Sequence, residues 1–307
     1  MKFTLRQLEY FIAAGESGSI TLASERASIS QPSISTAISH LEQELGTQLF
    51  VRHHAQGLSL TPAGRAVLRE AKNLIRHAEA LYSATAEMGQ VRGTLSVGCL
   101  VTLAPMVLPA LSYSFTQKHP GTDIRQSERH QEGLLEGLQR AEIDIAVTYD
   151  LQISKDFAFT PLAALPPYAL FGESDPLHRA ASVTMCELAE KPMILLDLPI
   201  SREYFIGLFM KHGVEPNITW RSPNQEVVRT MVANGYGYTL FNARPKVSIA
   251  LDGRPLYPVP LAGKHPPTVI GLATLSQLEK PRLVEAFETH CRELILEGNI
   301  PGMAAAP

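Results

Sequence analysis

Apolar positions recur at helical spacing near the start of the chain. Leu5, Leu8, Phe11 and Ile12 form a stripe on LRQLEYFIAAGE, and Ile34, Ala37, Ile38, Leu41 and Leu45 form another on QPSISTAISHLEQEL. A break at Gly15 to Gly18 separates the first stripe from a short helix opened by Ile20, Leu22 and Ala23. On the third helix Ser33, Ser35, Thr36, Ser39, His40 and Gln43 occupy the remaining faces, so one side packs and the other can touch a partner. Ser30 is placed to cap that helix. Pro32 falls in its first turn, where a missing backbone donor costs nothing, so the helix starts near Gln31. Three such helices predict a helix-turn-helix core, the architecture that lays a helix in the major groove of DNA. The chain then turns at Gly46, runs through Leu49 and Phe50, reverses at Gln56 and Gly57 and continues with alternating Leu58 and Leu60, which reads as a two-stranded wing.

From Thr61 and Pro62 a long helix is expected to run to about Met88. Val67, Ala71, Leu74, Ala78, Leu81, Thr85 and Met88 alternate spacings of four and three, the seam of a coiled coil, and Leu68, Ile75 and Tyr82 add a second row. A tethered helix this apolar has more to bury than its own chain offers, which points to dimerisation through Val67, Leu74 and Leu81. The competing reading packs the stripe on the helix-turn-helix alone.

After QVRG at residues 90 to 93 the pattern changes to alternating strands and helices. TLSVGCL, GTDIRQSE and IDIAVTY read as strands, with LPALSYSFTQKHP and QEGLLEGLQRAE as helices, the signature of an α/β unit with a parallel sheet. PMILLD, REYFIGLFMKHG, ITWRSP, NQEVVRTMVANG and YGYTLF repeat the theme in a second lobe. The proline pairs Pro166-Pro167 and Pro266-Pro267 precede YALF and TVIGLA and mark the crossings out and back. A final helix from Arg282 to about Glu297 closes the first lobe, and the tail NIPGMAAAP reads as frayed.

Composition is that of an ordinary globular protein, 45% hydrophobic and 19% charged over 307 residues, enough for two or three units. The net charge of −3 does not announce a nucleic-acid binder, although residues 1 to 92 carry +1 and the remainder −4. Arg6, Arg26, Arg52 and Arg65 are the basic side chains available for phosphates, Arg52 foremost because it sits at the wing. Cys99, Cys186 and Cys291 are isolated, which argues against a disulfide framework or a metal site and suits a reducing cytoplasm. No secretion signal or membrane-spanning stretch is evident.

LRQLEYFIAAGESGSI, ISQPSIS, LEQELGTQLFVR and LTPAG, in this order and spacing, resemble the DNA-binding domain of LysR-type transcriptional regulators, and the two-lobed remainder fits the same family end to end. The resemblance implies an α/β protein with an N-terminal all-α winged helix-turn-helix (1–61), a linker helix that forms the dimer (62–90) and a periplasmic-binding-protein-like effector domain (91–307). Within that domain lobe I covers about 91–165 and 266–298, and lobe II about 166–265. It implies an interrupted palindrome in double-stranded promoter DNA, contacted by Gln31, Pro32, Ser33, Ser35, Thr36, Ser39 and Arg52, and a homodimer or homotetramer. The family often carries basic residues where this chain has Thr36 and Ser39, which puts the usual base preference in doubt.

In open α/β sheets ligands sit beyond the carboxyl ends of strands, near helix N-termini that favour anions. Thr102 follows TLSVGCL and matches the family's ligand-contacting Ser/Thr position; an N-cap is the plainer reading. Gln131, with His130 and Arg129, follows DIRQSE. Ser201 and Arg202 open the long helix of lobe II, where Arg202 can grip a carboxylate or pair with Asp197 or Glu203. Tyr149 ends IDIAVTY, and Asn224 and Gln225 begin the next helix of lobe II. Together they favour a small organic anion such as a carboxylate.

An enzyme is disfavoured, because no GxGxxG context, metal-spaced His pair or GxSxG is present and no catalytic residues or cofactor suggest themselves. A solute-binding receptor would explain the lobes but would need a secretion signal and have no use for a helix-turn-helix.

Overall fold

The computed structural model describes residues 2–53, 57–85, 91–276, 280–296 and 299–305, with the backbone alone at 53, 76–77 and 79–85. Helices α1 (Leu5–Ser17), α2 (Ile20–Ala27) and α3 (Gln31–Leu45) form the trihelical core, followed by hairpin strands β1 (Phe50–His53) and β2 (Gly57–Leu60) and helix α4 (Pro62–Thr85). Each short helix begins on a hydroxyl cap, from Thr4, Ser19 and Ser30, and each ends on a left-handed residue, Gly18, Ser28 or Gly46. Phe11, Ile34, Leu41 and Leu49 are fully buried between them, with Phe11 edge-on to Phe50 at 5.4 Å. The break expected at Gly15 to Gly18 falls at Gly18, and α1 runs on to Ser17. Gly15 lies inside α1, where an added Cβ would meet Leu68 of α4 at 3.2 Å, so it is there to let two helices approach. Gln56, placed in the turn of the hairpin, lies outside the described residues.

Lobe I is built on a five-stranded sheet in the order β4-β3-β5-β12-β6, from β3 (Arg92–Leu100), β4 (Gly121–Arg129), β5 (Ile145–Tyr149), β6 (Phe157–Leu165) and β12 (Thr268–Leu275). The sheet is mixed where a parallel one was expected. β3 pairs parallel with β4 and β5, but β12 runs antiparallel to both β5 and β6 because it is the returning strand. Helices α5 (Ala104–Lys118), α6 (Gln131–Gln139) and α10 (Arg282–Leu294) cover it, with Phe115 and Phe287 packed edge to face at 5.1 Å. At Gly98 a Cβ would sit 2.7 Å from Ile143 and Leu134, so the sheet needs glycine there to bring α6 close.

Lobe II holds β7 (Tyr168–Gly172), α7 (Met185–Ala189), β8 (Pro192–Leu196), α8 (Pro199–Met210), β9 (Asn217–Ser222), α9 (Gln225–Ala233), β10 (Thr239–Phe241) and β11 (Leu256–Pro260). β10, β7 and β11 are antiparallel, β8 and β9 are parallel, and a single bridge between Met193 and Tyr238 links the two sets. Its buried centre runs from Phe171 through Leu195 and Phe209 to Tyr238.

The tail departs most from the sequence reading. Residues 299–305 dock against 244–246 instead of fraying: Pro245 bridges Met303, and Ile300 and Met303 are buried in the core of lobe I. Two apolar side chains in seven residues are enough to hold a short tail once a groove receives them. Among the described residues no helix is long and apolar enough to cross a membrane.

Candidate functional sites

Gln31, Pro32, Ser33, Thr36 and Ser39 lie exposed along one side of α3, opposite Ile34, Ala37, Ile38 and Leu41, which are buried. Ser35 is half-buried, at the border of the two faces. Ser30 Oγ accepts from the backbone N–H of Ser33 and meets its hydroxyl at 2.8 Å, so the N-terminal turn is fixed before any partner arrives. Arg52 is exposed on β1, one position before the end of the strand. Arg65 donates to Leu60 O at 2.9 Å, which joins α4 to the wing.

Glu42 is a residue the sequence reading missed. Its Oε1 accepts the backbone N–H groups of Leu49 at 2.7 Å and Phe50 at 3.1 Å, tying α3 directly to the start of the wing. Leu58 N–H donates to Gly18 O at 2.7 Å, and Gly57, at φ +87°, leaves no room for a Cβ, which would stand 2.5 Å from that oxygen. The wing is thus tied both to α3 and to the end of α1. A charged residue seven positions before a strand carries no local signal that it will turn back to cap it.

The seam of α4 divides. Val67 and Ala71 turn toward the winged domain, together with Leu68 and Ile75, so the packing reading accounts for the first half of the stripe. Val67 is therefore committed mainly to its own chain. Leu74 is exposed, and the side chain of Leu81 and all of Met88 lie outside the described residues. Lys72 bonds Glu16 at 2.8 Å and clamps α4 onto α1.

Where the lobes meet, Thr102 follows β3 but does not cap α5, whose cap position is Leu103 with no side-chain bond. Its Oγ1 is buried and makes no hydrogen bond of normal geometry. The neighbouring Val101 packs on the core of lobe II, so this end of β3 faces the opposite lobe. The Tyr149 hydroxyl approaches Thr102; burial pushes its pKa far up, with Thr102 pulling the other way. Gln131 is a buried amide and not a loop side chain. Its Nε2 donates to Leu151 O, and the Thr148 hydroxyl donates to its Oε1 at 3.4 Å, so both ends of the amide are engaged within lobe I. Arg129 bonds Glu142 at 2.7 Å.

Across from them, Arg202 bonds Asp197 at 2.7 Å, and Asp197 also lies 3.8 Å from Arg221. Of the two readings for Arg202, the pairing with Asp197 is the one found, so its guanidinium already holds a carboxylate. Asn224 caps α9, its Oδ1 accepting from Glu226 N–H at 2.9 Å and Val227 N–H at 3.3 Å, while Ser201 and Gln225 are half-buried beside the two helix starts. Sequence reasoning also missed the side chains that join the lobes. Tyr204 donates to Pro266 O at 2.7 Å, Asn242 donates to Leu165 O at 2.9 Å and Gln152 donates to Glu203 at 2.6 Å, while beside the first crossing Tyr168 donates to Ala243 O at 3.1 Å. Among the described residues no group of three His, Cys, Asp or Glu side chains is placed to hold a metal.

Residues 5–65 match the family model of the bacterial regulatory helix-turn-helix protein of the LysR family, and residues 88–295 match that of the LysR substrate binding domain. The chain belongs to the LysR family. It is a DNA-binding transcriptional regulator with an effector-binding domain. This LysR-type regulator is 31% identical over 255 residues to the HTH-type transcriptional regulator TfdS of Cupriavidus pinatubonensis, covering 81% of the present chain and 84% of that one. Crystalline HinK, a LysR family regulator from Pseudomonas aeruginosa, superposes with a TM-score of 0.65 at 36% identity, covering 96% of this chain and 99% of HinK. The C-terminal domain of a probable LysR family regulator from Rhodococcus sp. RHA1 gives 0.63 at 32% identity, covering 65% of this chain and 98% of that one.

Proposed function

We propose that this regulator reads an interrupted palindrome as a homodimer or homotetramer, and that a small organic anion, such as a carboxylate, modulates its promoter binding from between the two lobes. On this reading residues 1–61 bind DNA, 62–90 dimerise and 91–307 sense the effector in the cytoplasm, with no catalytic role. The observation that carries the effector half is the Thr102 hydroxyl, buried at the end of β3 where lobe I faces lobe II, with the Tyr149 hydroxyl near it but no hydrogen bond of normal geometry. A buried hydroxyl so poorly satisfied is costly, and a ligand oxygen would repair the deficit. Arg202 is tied to Asp197, so the positive end of α8 at Ser201 is the better lobe II contact for the anion. The effector acts by population shift, through differential affinity for two arrangements of the paired DNA-binding domains.

For the DNA half, Gln31, Ser33, Thr36 and Ser39 supply base contacts and Arg52 a phosphate contact. Gln31→Ala is expected to relax one base preference at a cost of about 1 to 3 kcal/mol, whereas Arg52→Ala weakens all sequences alike and lowers the salt slope by about one. Gel-shift series over randomised operators and salt read both; an unchanged preference for Gln31→Ala would remove it from the base-reading set. For the effector half, thermal-shift screening of the full chain against small carboxylates and aromatic acids identifies ligands. Stabilisation that persists undiminished in Thr102→Val would place the ligand elsewhere.

A further inference from the structure

The segment that follows α10 returns to the junction of the lobes. Ala304 N–H donates to Arg244 O at 2.8 Å, Lys246 N–H donates to Gly302 O at 3.1 Å, and Arg244 Nη1 donates to Ala305 O at 3.1 Å. These bonds grip the stretch of chain that leaves β10 of lobe II. On its other side the tail is fixed to lobe I. Ile300 and Met303 are buried in that lobe's core, and Gly302 fits so tightly against α5 that an added Cβ would stand 2.4 Å from Met106 O. Gly302 also takes φ +71°, which its neighbours could adopt only under strain. The gripped stretch carries Ala243, whose carbonyl receives the Tyr168 hydroxyl, and begins next to Asn242, which bonds Leu165 at the outward crossing. Met106 lies on the first turn of α5, four residues after Thr102.

We infer that residues 299–305 are a strap that ties lobe II to lobe I at the hinge and sets how far the lobes open around Thr102. With the strap docked, the Arg244–Lys246 stretch is held on the α5 side and the lobes keep the arrangement described above. With the strap released, the side-chain bonds of Asn242, Tyr204 and Gln152 and the packing of Ala243 in the core of lobe I still join the lobes, and the lobes rock more widely. That this opening bears on effector binding rests on the function proposed above. The strap itself is tested without any effector.

Hydrogen exchange on the full-length protein provides the test, with two variants: Gly302→Ala, which forces the collision with Met106, and a chain ending at Met303, which keeps both buried side chains and removes the bonds of Ala304 and Ala305. Exchange over 242–248 is expected to quicken about tenfold in each, and exchange over 100–106 and 163–170 to quicken with it, while residues 5–60 are unchanged. Unaltered exchange over 242–248 would overturn the strap. So would faster exchange confined to 242–248, since the tail would then be only a local clip. If Gly302→Ala fails to fold, the chain ending at Met303 decides alone. Failure to find an anionic effector leaves this result untouched, so the two readings fail separately.

Discussion

Thr102 places a buried hydroxyl at the end of β3, where lobe I faces lobe II, and Leu103 rather than Thr102 occupies the cap position of α5. Because its hydroxyl makes no hydrogen bond of normal geometry, Thr102→Val is expected to leave the thermal stability of the unliganded protein unchanged or raise it, by up to about 3 kcal/mol. The same change should weaken the effector roughly tenfold, with Thr102→Ser close to wild type, as read by calorimetry with any hit from the screen. A loss of unliganded stability in the valine variant would show that the hydroxyl is already satisfied. Gly64, at the first turn of α4, is a second case: a Cβ there would stand 2.0 Å from Leu49 O. Gly64→Ala should cost about 1 to 3 kcal/mol in the winged domain by thermal unfolding, because backbone must move to admit it. Gln131, Arg202 and Asn224 were legible as polar residues near strand ends and helix starts. The pairing of Arg202 with Asp197 was one of the two readings its neighbours offered, whereas the partners Leu151 and Glu226 were not legible, since only the fold decides which neighbour is met first.

At the scale of elements the helices and most strands were legible, because caps, prolines and apolar spacing act locally. Strands β6 and β11 were not distinguished, and the mixed direction of the lobe I sheet was missed, since strand direction depends on where the chain returns and not on its local pattern. The tie between α3 and the wing through Glu42 makes a prediction about DNA that no exposed residue makes. Glu42→Leu leaves two strand N–H groups without their acceptor and should cost about 1.5 to 3 kcal/mol in the stability of the winged domain. Promoter affinity should fall with it although Glu42 touches no base, and added osmolyte should restore part of the binding. With Val67, Leu68, Ala71 and Ile75 turned to the winged domain, the dimer seam proposed for α4 is narrower than the full stripe. Leu74→Asp should dissociate the dimer, seen by sedimentation at low micromolar concentration, whereas Val67→Ala should chiefly lower the melting temperature of the winged domain.

For the whole molecule, lobe I contains a proton-sensitive joint between α5 and α10. His290 is buried there, its Nε2 meets Ser114 Oγ at 2.8 Å, and its ring packs edge-on to Phe115. Burial, reinforced by Lys118, holds its pKa below the ordinary 6.5, with Glu293 opposing. The unfolded chain therefore takes up the proton at a higher pH than the folded one. Stability contributed by neutral His290 is fully present above 6.5 and is lost as pH falls from there toward the lowered folded value. Thermal unfolding across that window should show a decline that His290→Gln flattens; identical slopes would remove His290 as the cause. The two lobes and their crossings were legible from the proline pairs, but the docked tail was not, because its anchors Ile300 and Met303 are too few to form a periodic pattern.

The joint between the lobes has a consequence for how the protein can diverge. Tyr204, Asn242 and Tyr168 each reach for a main-chain carbonyl, at Pro266, Leu165 and Ala243. Every amino acid brings the same carbonyl, so the accepting positions are free of selection for these bonds while the donors are not. A saturation library should therefore tolerate varied residues at the exposed position 266 and only apolar ones at 165, which is buried in the core of lobe I, and reject most replacements at 204 and 242. Drift can alter the linkers without altering the pivot.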